Sequence, residues 1–146
     1  MAQFGRPSTD TVNEAYTDQL GGSTNIFGKI DEVTLDDADF IQSAAGPSND
    51  VYVTKLTTLE DPASSTGHIV RIRRSKSAAG GAVVALTVEL RQGYINEGTP
   101  GSLIATVLNS TIDENWTTTT YTLTTAETDS ITNYADLYLR FVSNQS

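Results

Sequence analysis

The stretch Ala82-Val-Val-Ala-Leu-Thr-Val-Glu-Leu-Arg-Gln92 decides the class of fold. Val84, Leu86, Val88 and Leu90 alternate with Ala85, Thr87, Glu89 and Arg91, a period of two that puts the aliphatic set on one face of an extended strand and the polar set on the other. A strand with one wet face belongs in an antiparallel sheet. Upstream, Ile69-Val-Arg-Ile-Arg-Arg-Ser-Lys76 sets Val70 and Ile72 against Arg71 and Arg73, and Ala78-Ala-Gly-Gly81 lies between the two runs as a turn signal, so the pair is expected to close as a hairpin.

Working outward, short apolar runs recur between clusters of Gly, Asn, Asp, Pro and Ser. They span residues 27–33, 38–41, 51–59, 68–76, 82–92, 102–109, 117–124 and 137–142, which gives eight candidate strands. In the last of them Leu137, Leu139 and Phe141 face inward and Tyr138 and Arg140 outward. Thr124-Thr-Ala-Glu127 fits a capping box and predicts one short helix, with Ile131 and Tyr134 on a common face, before that final strand. The expected fold is therefore all-β, an antiparallel jelly-roll-like β-sandwich of about eight strands. Its core is expected to include Ile30, Val70, Ile72, Val84, Leu86, Val88 and Leu90, closed by Leu123, Leu137, Leu139 and Phe141. Residues 1–25 show no sustained period and read as an extended arm that orders on binding, leaving residues 26–146 as the sandwich domain.

The 146-residue chain suits one domain and is large enough to bury a core without cross-links. Threonine (22) and serine (13) dominate its polar surface and favour strands and turns. It has no cysteine, which removes disulfides, thiolate metal sites and cysteine nucleophiles. Nine basic and eighteen acidic side chains give a net charge of −9, a surface that repels phosphate backbones, so no nucleic-acid partner is expected. The opening MAQFGRPSTD has no basic segment followed by an apolar run, so neither a signal peptide nor a membrane partner is expected.

Candidate chemistry is sparse. His68 is the single histidine and no Gly-x-Ser-x-Gly elbow surrounds a serine, so no catalytic residues are assigned and no enzyme is expected. Asp31, Glu32, Asp36, Asp37 and Asp39 supply the oxygens a calcium ion would want, but they lack the EF-hand spacing, and a solvated turn in which the Asp side chains cap backbone amides is the expectation; no metal or cofactor is assigned. Arg71, Arg73, Arg74 and Lys76 concentrate four of the nine basic residues in six positions. They serve either as a contact to an acidic partner or as an internal ladder in which Arg71 and Arg73 pair with Glu89 across the hairpin. Trp116, Tyr94 and Tyr138 would, if exposed together, form a stacking platform for sugars, but packing into the core is the expectation.

Several segments together carry a resemblance: Arg6-Pro7, Asn25-Ile-Phe-Gly-Lys-Ile-Asp-Glu32, Asp36-Asp-Ala-Asp-Phe-Ile41, Leu59-Glu-Asp-Pro62, Gly67-His-Ile-Val-Arg-Ile-Arg73, and the ending from Thr122-Leu-Thr-Thr-Ala-Glu127 to Leu137-Tyr-Leu-Arg-Phe141. Over about residues 6 to 143 the chain resembles the small jelly-roll virion proteins of tailed bacteriophages, most of all the capsid decoration, or cement, proteins. The resemblance implies a two-sheet sandwich with a short helix before the last strand and no catalytic residues. It further implies a place on the outer capsid surface after synthesis in the host cytoplasm, the major capsid protein as partner, and a homo-oligomer, a trimer or another small symmetric assembly. Phe4, Arg6 and Tyr16 on the arm, with the basic stripe, are the expected contact residues. The alternative is a carbohydrate- or receptor-binding module of a tail fibre, using Tyr94, Trp116 and Tyr138.

Overall fold

A computed structural model describes residues 2–78 and 81–146, so the Ala79-Gly80 part of the expected turn lies outside the described residues. In chain order the strands are β1 (Pro7–Asn13), β2 (Thr17–Asp18), β3 (Ile41–Gln42), β4 (Ser48–Leu56), β5 (Ile69–Arg74), β6 (Val84–Gln92), β7 (Ser102–Ile112), β8 (Thr117–Thr122) and β9 (Leu137–Gln145). A 3-10 helix covers Ile26–Lys29 and the helix α1 covers Thr125–Asp129. Among the described residues no helix is long and apolar enough to cross a membrane.

The strands pair in a nested order, β4 with β9, β5 with β8 and β6 with β7, all antiparallel. This is the wrapped long hairpin of a jelly roll. β6 also pairs with β9 and β1 adds to β4, giving a five-stranded sheet in the order β1-β4-β9-β6-β7. β5 and β8 form a separate ribbon. Ile72 and Val70 of β5, with Tyr121 and Leu123, pack in one cluster with Leu86, Val88 and Leu90 of β6, Leu137 and Leu139 of β9, and Ile104, Ala105 and Val107 of β7. The chain is thus an all-β sandwich whose larger layer has its inner face where the alternation of β6 and β9 places it.

Three expectations are corrected. β5 and β6 do not form a hairpin, because the threonine strand β8 takes all six residues of β5 as its partner, from Ile69↔Thr122 to Arg74↔Thr117. Residues 27–33 are not a strand: Asn25 enters a left-handed conformation (φ 55°), and the Asp10 carboxylate accepts from the Ile26 and Phe27 amides at 2.9 and 2.8 Å, which starts a turn of 3-10 helix instead. Of residues 38–41 only Ile41 enters a strand, pairing with Asp18 while Gln42 pairs with Thr17.

The capping box forms as read, with the Thr124 hydroxyl accepting from the Glu127 amide and the Glu127 carboxylate accepting from the Thr124 amide. Consecutive buried residues in β7 follow from two register shifts against β6, between Val88 and Glu89 and between Leu90 and Arg91. Such bulges turn adjacent side chains to the same side.

Candidate interaction surface

The arm is built into the fold rather than hanging from it. Pro7–Asn13 pairs with β4 as an edge strand, and the hydroxyl of fully buried Thr54 donates to the Thr9 carbonyl at 3.0 Å. Tyr16, expected as a contact residue, is only 5% exposed. Its ring lies 5.7 Å from that of Tyr52, which in turn lies 6.0 Å from Phe141, and its hydroxyl hydrogen-bonds with that of Ser143 on β9. Burial pushes the Tyr16 hydroxyl up to about 12. Asp10, which the sequence did not single out, ties this layer together by accepting from the Tyr52 hydroxyl at 2.7 Å as well as from the helix amides.

Residues 3–6 run beside residues 57–60. The Gln3 side chain donates to the Glu60 carbonyl and accepts from the Glu60 amide at 2.9 and 2.8 Å, as a strand neighbour would. The Arg6 guanidinium donates to the Asp31 and Glu32 carbonyls and lies 5.6 Å from the centre of the Phe4 ring. Arg6 is therefore a clamp within the chain, and its work is to hold Phe4 beside the 31–35 loop. Phe4 itself is 66% exposed, and on that loop Val33 and Leu35 are 86% and 68% exposed. Val33 was read as the end of a strand over residues 27–33, and Leu35 was not singled out, because a lone aliphatic residue in a polar loop carries no periodic signal.

The basic stripe is divided by the alternation of β5. Arg73 makes a two-pronged contact to the Asp37 carboxylate and sits 5.8 Å over the Trp116 ring. The Asp37 carboxyl is held below the usual range by its hydrogen bond to Arg73. Arg74 donates to the Thr119 hydroxyl at 2.7 Å, and Lys76 lies 3.7 Å from Glu114. Arg71 is exposed and makes no ion pair among the described residues. The expected ladder to Glu89 does not form, since Glu89 is on β6 and β8 is what lies beside β5.

The acidic loop spends its charge inside the chain. Asp39 meets Lys29 at 3.1 Å and Gln19 at 2.9 Å, and the Asp36 carboxylate closes a turn by accepting from the Ala38 amide. No group of three acidic or histidine side chains gathers around a common point among the described residues. His68 shares a 2.9 Å hydrogen bond with the Tyr134 hydroxyl and stacks near that ring.

The three rings of the alternative reading are not brought together. Tyr94 and Tyr138 are 4% and 7% exposed and pack 5.8 Å apart under the 93–101 loop, with Val51 and Val53. Trp116 lies elsewhere, half-buried against Phe40 and Arg73. A buried pair of rings offers no platform to a sugar.

The outer face of the five-stranded sheet carries a network instead. Arg140 of β9 reaches Glu97 at 2.5 Å and Glu89 at 3.2 Å, Arg91 reaches Glu89 at 2.7 Å, and the Tyr94 hydroxyl donates to Glu97 at 2.7 Å. The hydrogen bond from Arg140 outweighs partial desolvation and holds the Glu97 carboxyl below its usual range. A carboxyl lowered by folding contributes stability that is whole above the ordinary glutamate range and fades as the pH falls below it. The melting temperature is therefore expected to drop as the pH is lowered from about 6 towards 3. Glu97→Gln should lower it at neutral pH and flatten the slope; an unchanged slope, measured by calorimetry, would remove Glu97 from the acid response.

Comparison with protein-family models, with curated proteins and with solved structures gives no match.

Proposed function

We propose that the protein is a non-enzymatic structural component of a tailed-phage virion. In this reading it decorates the outer face of the head as a small symmetric assembly and stabilises the shell by gripping the major capsid protein. The observation that carries the reading is a set of exposed apolar side chains, Phe4 near the chain's start and Val33 and Leu35 on the 31–35 loop, with Arg6 joining the Phe4 ring to the Asp31 and Glu32 carbonyls, on a sandwich whose histidine, tyrosines and most basic residues are engaged internally. Exposed apolar side chains grouped on a polar surface mark a contact with another protein. The resemblance supplies the identity of that protein.

Two of the arm residues expected at the contact change role in this reading. Phe4 touches the partner, Arg6 aims it, and Tyr16 anchors the arm to β9. Arg71 remains the one member of the basic stripe free to meet an acidic neighbour. With a net charge of −9 the protein is suited to the solvent side of the shell, away from packaged DNA.

Purified protein added to undecorated heads is expected to co-sediment with them. Phe4→Asp with Val33→Asp should weaken retention by tenfold or more, since each places an unpaired charge in an apolar contact, while leaving the melting temperature within about 1 °C because both sites are exposed. Full retention of the double variant would move the contact elsewhere. Recovery of the native protein only in tail fractions would overturn the capsid reading in favour of a tail component.

A further inference from the structure

The outer face of the five-stranded sheet holds an open groove of about 530 Å³, lined by Glu14, Asn49, Val51, Glu97, Arg140 and Val142 among others. Its floor is apolar, since Val51 of β4 and Val142 of β9 are register partners. On one side the Glu14 amide donates to the Val51 carbonyl at 3.1 Å, which fixes the exposed Glu14 next to the floor. Asn49 stands on the same side as the extra residue of a bulge between Ser48 and Asp50, left-handed at φ 59° and exposed. Glu97 and Arg140 form the other side. Burial holds the Tyr94 hydroxyl above the usual tyrosine range, the Glu97 carboxylate adds to this, and the Glu14 carboxylate adds further, so both carboxylates bear on the same side of the sheet. Arg140 is the one cation in the lining among the described residues, and Glu97 and Glu89 already hold it. Glu14 has no ion pair among the described residues, and the side chains of Glu14 and Asn49 make no hydrogen bond there.

We propose that this groove receives a basic side chain, lysine or arginine, of a partner protein, with its aliphatic stem along Val51 and Val142 and its charged head at the Glu14 carboxylate and the Asn49 amide oxygen. Charge selects the occupant. Arg140 and Arg91 offset Glu97 and Glu89, which leaves the Glu14 charge over. A chain of net charge −9 draws a cationic partner towards that carboxylate and repels an acidic one. A wholly apolar side chain would fit the floor but strip water from Glu14 without replacing it. A basic side chain suits both parts, because its stem packs on apolar surface while its head stays at the polar rim. One ion pair at an open rim is weak alone, so the groove contributes selectivity within a larger contact. The inference does not rest on the capsid reading, since the groove is tested on the protein by itself.

The test is a methyl and carboxyl NMR titration of the full chain with Nα-acetyl-lysinamide and Nα-acetyl-argininamide. At least one of the two is expected to shift the Val51 and Val142 methyls saturably, with a Kd of about 10 mM. The Nε-acetylated lysine probe keeps the stem and loses the charge, and should bind at least fivefold more weakly than its parent. Glu14→Gln, at an exposed site, should lose the same factor. No saturable shift of these methyls with either probe up to about 100 mM, equal binding of the Nε-acetylated and parent lysine probes, or undiminished binding by Glu14→Gln overturns the proposal. Should the variant not fold, the wild type decides: the Glu14 carboxyl carbon must move with the charged probe and not with the Nε-acetylated one, and a resonance that ignores both refutes the site.

Discussion

Removal of residues 2–20 is expected to abolish the cooperative thermal unfolding of this protein. The deletion takes away β1, and with it the hydrogen-bonded edge along β4 and one of the two acceptors of the Thr54 hydroxyl, the other being the Lys55 carbonyl. It removes Tyr16, whose ring fills the space beside Tyr52 and whose loss alone should cost about 3 to 5 kcal/mol. It removes Asp10, which satisfies two amides at the start of the 3-10 helix and the Tyr52 hydroxyl. Together these exceed about 5 kcal/mol, the lower end of the stability of an ordinary domain. Circular dichroism should show a broad, shallow melt for the deleted chain. A sharp transition within a degree or two of the full chain would show that residues 2–20 act as a dispensable arm, and would leave the buried contacts of Tyr16 without energetic weight.

The sequence read least well where local adjacency and the final pairing disagree. β6 and β9 were legible because both have one buried face and alternate accordingly, and the helix before β9 was legible because a capping box is written in four consecutive residues. The partner of β5 was not, since a turn signal beside two alternating runs suggests a hairpin, while the nested order of a jelly roll joins β5 to a strand that starts more than forty residues later. The bulges of β7 hid its inner face, because Ile104-Ala105 and Val107-Leu108 break a strict period of two. The arm looked loose for a related reason. Its contacts are a few long-range ones, Tyr16 with Ser143 and Asp10 with Tyr52, and no window of sequence contains both partners.

The interaction residues show the same division. That Arg71 and Arg73 share a face followed from alternation, but Arg73 found Asp37, thirty-six positions away, instead of Glu89. Glu89 was taken by Arg91 and Arg140, its neighbours on the sheet's outer face. Once most of the cations are paired in this way, Arg71 is the member of the basic stripe left without an ion pair among the described residues, and it was visible as charge. Phe4 and Arg6 were named on the arm, but that Arg6 joins the Phe4 ring to the 31–32 carbonyls was not legible, because no window of sequence contains both partners.

Among the glycines of the described residues, Gly101→Ala is expected to be the most damaging change, costing about 4 kcal/mol or more. Gly101 closes the loop between β6 and β7 with φ at +67°, and a Cβ added there would lie 2.2 Å from the Gln92 carbonyl oxygen and 2.7 Å from the Gly93 carbonyl carbon and oxygen. These are backbone atoms held by the β6–β7 ladder, in which Gln92 pairs with Ser102, so they cannot swing aside as a side chain would. Relief requires the loop to open, which would also detach the Arg91 guanidinium from the Pro100 and Gly101 carbonyls and disturb the packing of Tyr94. Gly21 supplies the control. Its φ is +88° but a Cβ there meets nothing within 4 Å, so Gly21→Ala bears only the backbone cost of about 1 to 2 kcal/mol. Denaturant unfolding of the two variants should therefore separate by at least about 2 kcal/mol, with the excess at Gly101 measuring the steric contact. Equal losses would mean that the β6–β7 loop yields at little cost, and that the close approach of Gly101 to Gln92 does not constrain the hairpin.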